Sequence, residues 1–202
     1  MIANIERNLL LVITRILLAL TIVGTVMIGV VACSSATNSN ALVPTATASP
    51  TLSPSQAPHV GTSAPDFALD TLDGSRKVHL SDFHGKAMLL IFWASTCSAC
   101  VKELPVVQKF SEQQKAAGKQ IVVLAVDMDR VGDFVNVAAL QERFGLTYPI
   151  LVDDHFQARS SYKITDVPVA YFMDSQRVIR VIISGSLNNT SLSREAENVE
   201  GK

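Results

Sequence analysis

Ala87-Met88-Leu89-Leu90-Ile91-Phe92-Trp93-Ala94 leads through Ser95-Thr96 into Cys97-Ser98-Ala99-Cys100. The opening run is apolar throughout, short and turn-bounded, which predicts a central strand buried on both faces. From Ser98 to about Ala117, Val101, Leu104, Val107 and Phe110 recur near the helical period, so a helix is expected there. Pro105 falls inside it and predicts a kink. The cysteine pair therefore stands where a buried strand hands over to a helix. A CxxC by itself is a weak signal, but between a strand and its helix it points to thiol–disulfide chemistry.

The placement has a physical reason. At a helix start, unpaired backbone N–H groups and the helix dipole favour negative charge. A thiolate at Cys97 is stabilised there and its pKa lowered. Cys100 follows one turn later on the same helical face, within reach of a short disulfide. Such a pair supports a two-step exchange, in which Cys97 forms a mixed disulfide and Cys100 resolves it.

Working outward, Gln120 to Asp127 reads as a second buried strand. Val135 to Phe144 reads as a helix, with Gly145 as its stop. Tyr148 to Val152 is a short strand or extended segment, and Ser160 to Ile164 a helical turn. Val169–Met173 and Val178–Ile183 are strands joined at Asp174-Ser175-Gln176. Leu192, Ala196 and Val199 give the tail from Ser191 a weak helical spacing. On the N-terminal side, Asp66–Asp70 and Lys77–Leu80 flank Leu72-Asp73-Gly74-Ser75, the pattern of a β-hairpin. Alternating strands and helices closed by a hairpin predict an α/β fold, a mixed central sheet flanked by helices with an N-terminal β-hairpin extension.

The chain has 202 residues, of which 48% are hydrophobic and 17% charged, with a formal net charge of −1. That balance argues against a nucleic-acid partner. Three cysteines are an odd number and exclude a closed disulfide framework. The odd one, Cys33, closes the apolar stretch Ile16–Ala32, which follows Arg7 and Arg15 in a secretory signal pattern. Val30-Val31-Ala32-Cys33 resembles a bacterial lipoprotein signal, with Cys33 the lipidated residue. The alternative is an uncleaved anchor from Leu9 to Ala32, long enough because about 20 apolar residues span the hydrocarbon core. Either way the bilayer is a partner, through Cys33 acyl chains or the N-terminal helix, and the rest of the chain emerges outside the cell membrane. Ser34 to Val60 is rich in Ser, Thr, Ala and Pro and holds no Asp, Glu, Lys or Arg, and reads as a disordered tether. The expected organisation is thus 1–32 signal peptide or anchor, 33–60 tether and 61–202 domain.

Phe92-Trp93-Ala94-Ser95-Thr96-Cys97-Ser98-Ala99-Cys100, followed by Glu103-Leu104-Pro105, resembles the thioredoxin-fold proteins of the TlpA/ResA type, within the redoxin and AhpC/TSA grouping. Gly61-Thr62-Ser63-Ala64-Pro65-Asp66-Phe67 with Leu80-Ser81-Asp82-Phe83-His84-Gly85-Lys86 is similar to that family's N-terminal hairpin. Asp166-Val167-Pro168-Val169-Ala170-Tyr171-Phe172 resembles the segment carrying its cis-proline. The resemblance implies a thioredoxin-like thiol–disulfide oxidoreductase, with Cys97 as nucleophile and Cys100 as resolving thiol. It implies a cis Pro168 facing the pair and a Val167 backbone exposed for a substrate strand, with Trp93 packed beneath. Glu103 matches a family carboxylate that either tunes Cys100 or favours the first helical turn. Protein disulfide or dithiol substrates are implied, with reduction in cytochrome c maturation as an example and a membrane electron donor of the CcdA/DsbD type.

Departures from the pattern are Ala99 where many relatives carry Pro, Thr96 where many carry Trp, and Ile91 where thioredoxins proper carry a buried acid. Ala94 stands where a peroxidase relative needs a Thr hydroxyl. A zinc site needs about four ligands and one CxxC supplies two. His59, His79, His84 and His155 show no ligand spacing, and only His155 would serve a copper-chaperone relative. No metal or cofactor is expected. The remaining alternative is a non-enzymatic binding module with a structural disulfide.

Overall fold

The computed structural model describes residues 56–130 and 134–200. The signal or anchor segment, Cys33 and most of the tether lie outside the described residues. The apolar run at Ala87 becomes β3, Met88–Trp93, with every residue buried. It lies between β4, Val122–Asp127, and β6, Val169–Met173. β3 pairs parallel with β4, from Met88↔Val122 to Trp93↔Asp127, and antiparallel with β6, where Phe92 faces Val169. β7, Ile179–Ser184, continues one edge. β5, Ile150–Val152, pairs parallel with β4 and then antiparallel with β1, Ala68–Thr71. The hairpin from β1 to β2, Lys77–His79, completes a sheet of seven strands in the order β2-β1-β5-β4-β3-β6-β7. The mixed sheet and its N-terminal hairpin agree with the sequence pattern.

Two cores follow from the period of a strand. Leu90 and Phe92 of β3 face one core, with Leu124 and Val126 of β4; Leu89, Ile91 and Trp93 face the other, with Val123 and Ala125. The second core is covered by α1, Ser98–Ala116, α2, Phe134–Phe144, and α4, Asn189–Glu200. The first is closed by α3, Gln157–Tyr162, whose Tyr162 packs against Phe92 and Tyr171. α1 accommodates Pro105 without ending, at the loss of one helical N–H. Gly145 ends α2 with a φ of 59°, the left-handed conformation for which a stop glycine suits.

Two helices start earlier than periodicity alone suggests, and capping is the reason. The Asp153 carboxylate accepts the N–H groups of Ala158 and Arg159, so α3 begins at Gln157 rather than near Ser160. Asn188 Oδ1 accepts the Ser191 N–H at 2.9 Å, an N-cap that starts α4 at Asn189. The tail's weak spacing was sufficient because Leu192, Ala196 and Val199 are all buried against the sheet.

Candidate active site

Cys97 is the N-cap of α1, in extended backbone conformation, and its Sγ accepts the Cys100 N–H at 3.1 Å. Cys97 and Cys100 form a disulfide, with Cα atoms 5.2 Å apart. The two sulfurs differ in access. Cys97 is partly exposed, whereas Cys100 is 2% exposed and belongs to the core beneath α1. An anion on Cys97 meets the unpaired N–H groups of the first helical turn, so the outward sulfur is the one the helix stabilises.

The Val167–Pro168 peptide bond is cis. It places the Val167 carbonyl oxygen 3.7 Å from Cys97 Sγ. A cleft lined by Thr165, Asp166, Val167, Pro168 and Val169 runs along this segment. On the inner side, Pro168, Cys100, Trp93, Glu103 and Tyr148 line a cavity of about 10 Å3. Trp93 is 1% exposed. Its Nε1, the Tyr148 hydroxyl and Glu103 Oε2 are all buried without a protein partner. Burial pushes the Tyr148 phenol well above its ordinary range. The structure thus brings five of the sequence-predicted residues, Cys97, Cys100, Val167, Pro168 and Trp93, to one place.

Glu103 joins them with a contact the sequence did not suggest. It is buried, and its Oε1 accepts the Leu187 N–H at 2.9 Å. That bond ties α1 to the chain entering α4. Glu103 thus faces inward.

Asp127 and Asp129 are site residues that sequence reasoning passed over. Both are buried. Asp129 Oδ2 accepts the Ser95 N–H at 2.7 Å, and its Oδ1 lies 3.5 Å from the Thr96 hydroxyl. The Asp129 N–H in turn donates to Asp127 Oδ1 at 3.2 Å. Asp127 Oδ2 has no protein partner. Burial, and then the neighbouring Asp129 charge, push the Asp127 carboxyl up to about 7. The available signal was Asp127-Met128-Asp129 itself, where strand alternation sends two acids to one side at the end of an apolar run. Among the described residues, no group of three or more His, Cys, Asp or Glu side chains is arranged to hold a metal ion.

A cysteine pair at a helix start on a thioredoxin-like sheet defines the class, a thiol–disulfide oxidoreductase, and some of the relatives bear that name. ResA of Geobacillus thermodenitrificans, a thiol-disulfide oxidoreductase, is 30% identical over 141 residues, covering 70% of this chain and 78% of that protein. The thioredoxin-like protein YneN of Bacillus subtilis is 33% identical over 138 residues, covering 68% and 78%. Among solved structures, the thioredoxin domain of a thiol-disulfide oxidoreductase from Bacteroides vulgatus matches with a TM-score of 0.59 at 27% identity, covering 70% of this chain and 99% of that one. StoA of Bacillus subtilis matches in fold with a TM-score of 0.56 at 22% identity, covering 68% and 98%. The AhpC/TSA family model matches residues 60–182. The chain belongs to the AhpC/TSA family, and within it is a thioredoxin-fold thiol–disulfide oxidoreductase of the ResA type.

Proposed function

We propose that this protein is a membrane-tethered, extracytoplasmic reductant of protein disulfides, with Cys97 as nucleophile and Cys100 as resolving thiol. In the dithiol form, the Cys97 thiolate attacks a substrate disulfide. The substrate S–S bond breaks, one substrate sulfur leaves as a thiolate and takes up a proton, and a mixed disulfide forms on Cys97. Cys100 loses its proton and attacks Cys97 Sγ, releasing the second substrate thiolate. Two electrons pass to the substrate and the Cys97–Cys100 disulfide remains. The single observation that carries this reading is the asymmetry of the pair, Cys97 partly exposed at the N-cap and Cys100 buried behind it.

Val167 and Pro168 dock the substrate strand, which the nearness of the Val167 carbonyl to Cys97 and the adjoining cleft support. Trp93 supports the pair from beneath. Glu103 sits close enough to the buried cavity beside Cys100 to tune that thiol. Cys33, lipidated, or the anchor helix holds the 61–202 domain to the cell membrane through the tether. A membrane donor of the CcdA/DsbD type restores the dithiol, and apocytochrome c is a client of the right chemistry.

The test is a Cys100→Ser chain expressed in cells. Mixed disulfides should accumulate on Cys97, be released by dithiothreitol, and vanish in Cys97→Ser. If the reduced Cys100→Ser protein is present and traps no protein, the reading is overturned. Trapping that runs through Ser-substituted Cys97 chains instead would reverse the two roles.

A further inference from the structure

We propose that Asp127 and Asp129 form a positioning pair for Cys97, holding the Ser95–Thr96 approach to the active site when Asp127 is protonated and loosening it when Asp127 ionises. The inference rests on the reading of Cys97 as the attacking thiol, because the approach segment matters only if Cys97 must be presented to a substrate.

The argument begins with the hydrogen bonds. Trp93 ends β3 and Cys97 begins the cap of α1, so Ala94, Ser95 and Thr96 alone connect strand to helix. Within that connection, Cys97 N–H returns to the Ala94 carbonyl at 3.1 Å. The other anchor is Asp129, which receives the Ser95 N–H. A hydrogen bond to a carboxylate in a buried setting is among the stronger ones. Asp129 is itself held in place by its N–H bond to Asp127 Oδ1 and by the Met128 N–H bond to the Trp93 carbonyl at 2.9 Å. The chain of contacts therefore runs from Asp127 through Asp129 to Ser95, and from there to Cys97.

Asp127 is the switchable member. It is fully buried and one of its oxygens has no partner. A protonated carboxyl there leaves a single negative charge on the pair, matched to the Ser95 amide. An ionised one sets two buried carboxylates two positions apart, and like charges in a poorly solvated site repel. The remaining groups around Asp127 do not offset that charge. Across the β3 register stands Trp93 and across the β5 register Val152. Asp153 donates its N–H to the Asp127 carbonyl, while its carboxylate is committed to the start of α3. The side-chain charge that acts on Asp127 is that of Asp129, and it repels. The charged residues of α2, Glu142 and Arg143, are exposed, as is Arg130.

The chain offers its own reporter, because Trp93 is its only tryptophan and is the strand partner of Asp127. In the oxidised full-length protein neither active-site cysteine titrates. Trp93 fluorescence and the Ser95 amide resonance should then change together, with a midpoint near pH 7. After correction for intrinsic exchange, protection of the Ser95 amide should fall about tenfold across the same midpoint, as expected for loss of one hydrogen bond to a charged group. Asp127→Asn should abolish the transition in both signals, and Glu103→Gln should leave it in place. Asp129→Asn, a second variant, should move the Trp93 transition to lower pH by removing the repelling charge. In reduced Cys100→Ser protein, the pH profile of Cys97 alkylation should lose one of two inflections when Asp127→Asn is added.

A flat wild-type titration, or a transition that survives Asp127→Asn, overturns the proposal. So does a Trp93 transition with an unmoved Ser95 amide, or an alkylation profile indifferent to Asp127. If client trapping fails while the Trp93 and Ser95 signals behave as stated, the assigned exchange reaction falls, and what stands is the coupling of Asp127 to the Ser95–Thr96 segment, without a role in presenting Cys97.

Discussion

Replacing Asp127 with Asn should stabilise the protein increasingly as pH rises. The folded state raises the Asp127 carboxyl from 3.8 to about 7. Between those values the folded chain keeps a proton that the unfolded chain has already lost. Stability therefore falls as pH rises through this window, and the loss is complete above about 7. At about 1.36 kcal/mol per pH unit, the full penalty is on the order of 4 kcal/mol. Roughly 2–3 kcal/mol of it accrues between about pH 5 and pH 8, because the unfolded carboxyl is already largely ionised at the lower value. Asn keeps an acceptor for the Asp129 N–H and carries no ionisable group, so it removes the penalty without removing the contact. Guanidinium unfolding of the oxidised full-length protein, followed by circular dichroism at several pH values, measures the effect. The difference between Asp127→Asn and wild type should widen by that amount, with equal denaturant slopes. Parallel stability curves for the two proteins would refute the reasoning, because they would mean that Asp127 is ionised in the fold at no cost. Wild-type slope alone decides nothing, since every other titrating group contributes to it.

Two further outcomes test the helix that closes the second core. Glu103→Ala should cost about 1–3 kcal/mol, since it leaves the buried Leu187 N–H without its acceptor, and hydrogen exchange should quicken first at Leu187 and the start of α4. Asn188→Ala should cost about 1 kcal/mol through loss of the N-cap; equilibrium unfolding checks it, and an unchanged midpoint would mean that α4 is held by its buried face alone.

How much of this was readable in the chain depends on the range of the interaction. The buried strand at Met88–Trp93, the helix from Ser98 and the hairpin at Asp73-Gly74 are local patterns, and each appears where periodicity and turn chemistry put it. Cys97 at the N-cap is equally local. The starts of α3 and α4 were displaced because Asp153 and Asn188 act through side-chain caps, which leave no mark on the apolar period. Glu103 was visible as a carboxylate after the pair, but its partner is the N–H of Leu187, far along the chain, and no spacing rule reveals a side chain that caps a distant loop. The Asp127–Asp129 pair was hidden for the same reason. Its partner, Ser95, belongs to the preceding strand–helix connection, and only the pairing of β3 with β4 brings them together.

The topology explains why those distant residues meet. β3, β4 and β5 run parallel, so the connections that follow them leave from one end of the sheet. β6 is antiparallel to β3, and its first residues, beginning with Val169, lie at that same end. β7 returns to it, where the Gly185 N–H meets the Pro168 carbonyl. The residues that follow β3, β4 and β7 therefore share an edge with those that precede β6: Cys97, Asp129, Leu187 and Pro168. Ligands in open α/β sheets bind at the carboxyl ends of parallel strands for this reason. Ile91 lies within β3, inside the apolar core, and a charge there would be desolvated with no polar partner in its strand register, where Ala125 and Ala170 stand. Asp127 is the last residue of its strand and can be linked through Asp129 to the connection carrying Cys97. The proposed positioning carboxyl is thus found at a strand end, where backbone N–H groups are available, and the contacts that lead from it toward Cys97 pass through Asp129 and the Ser95 amide.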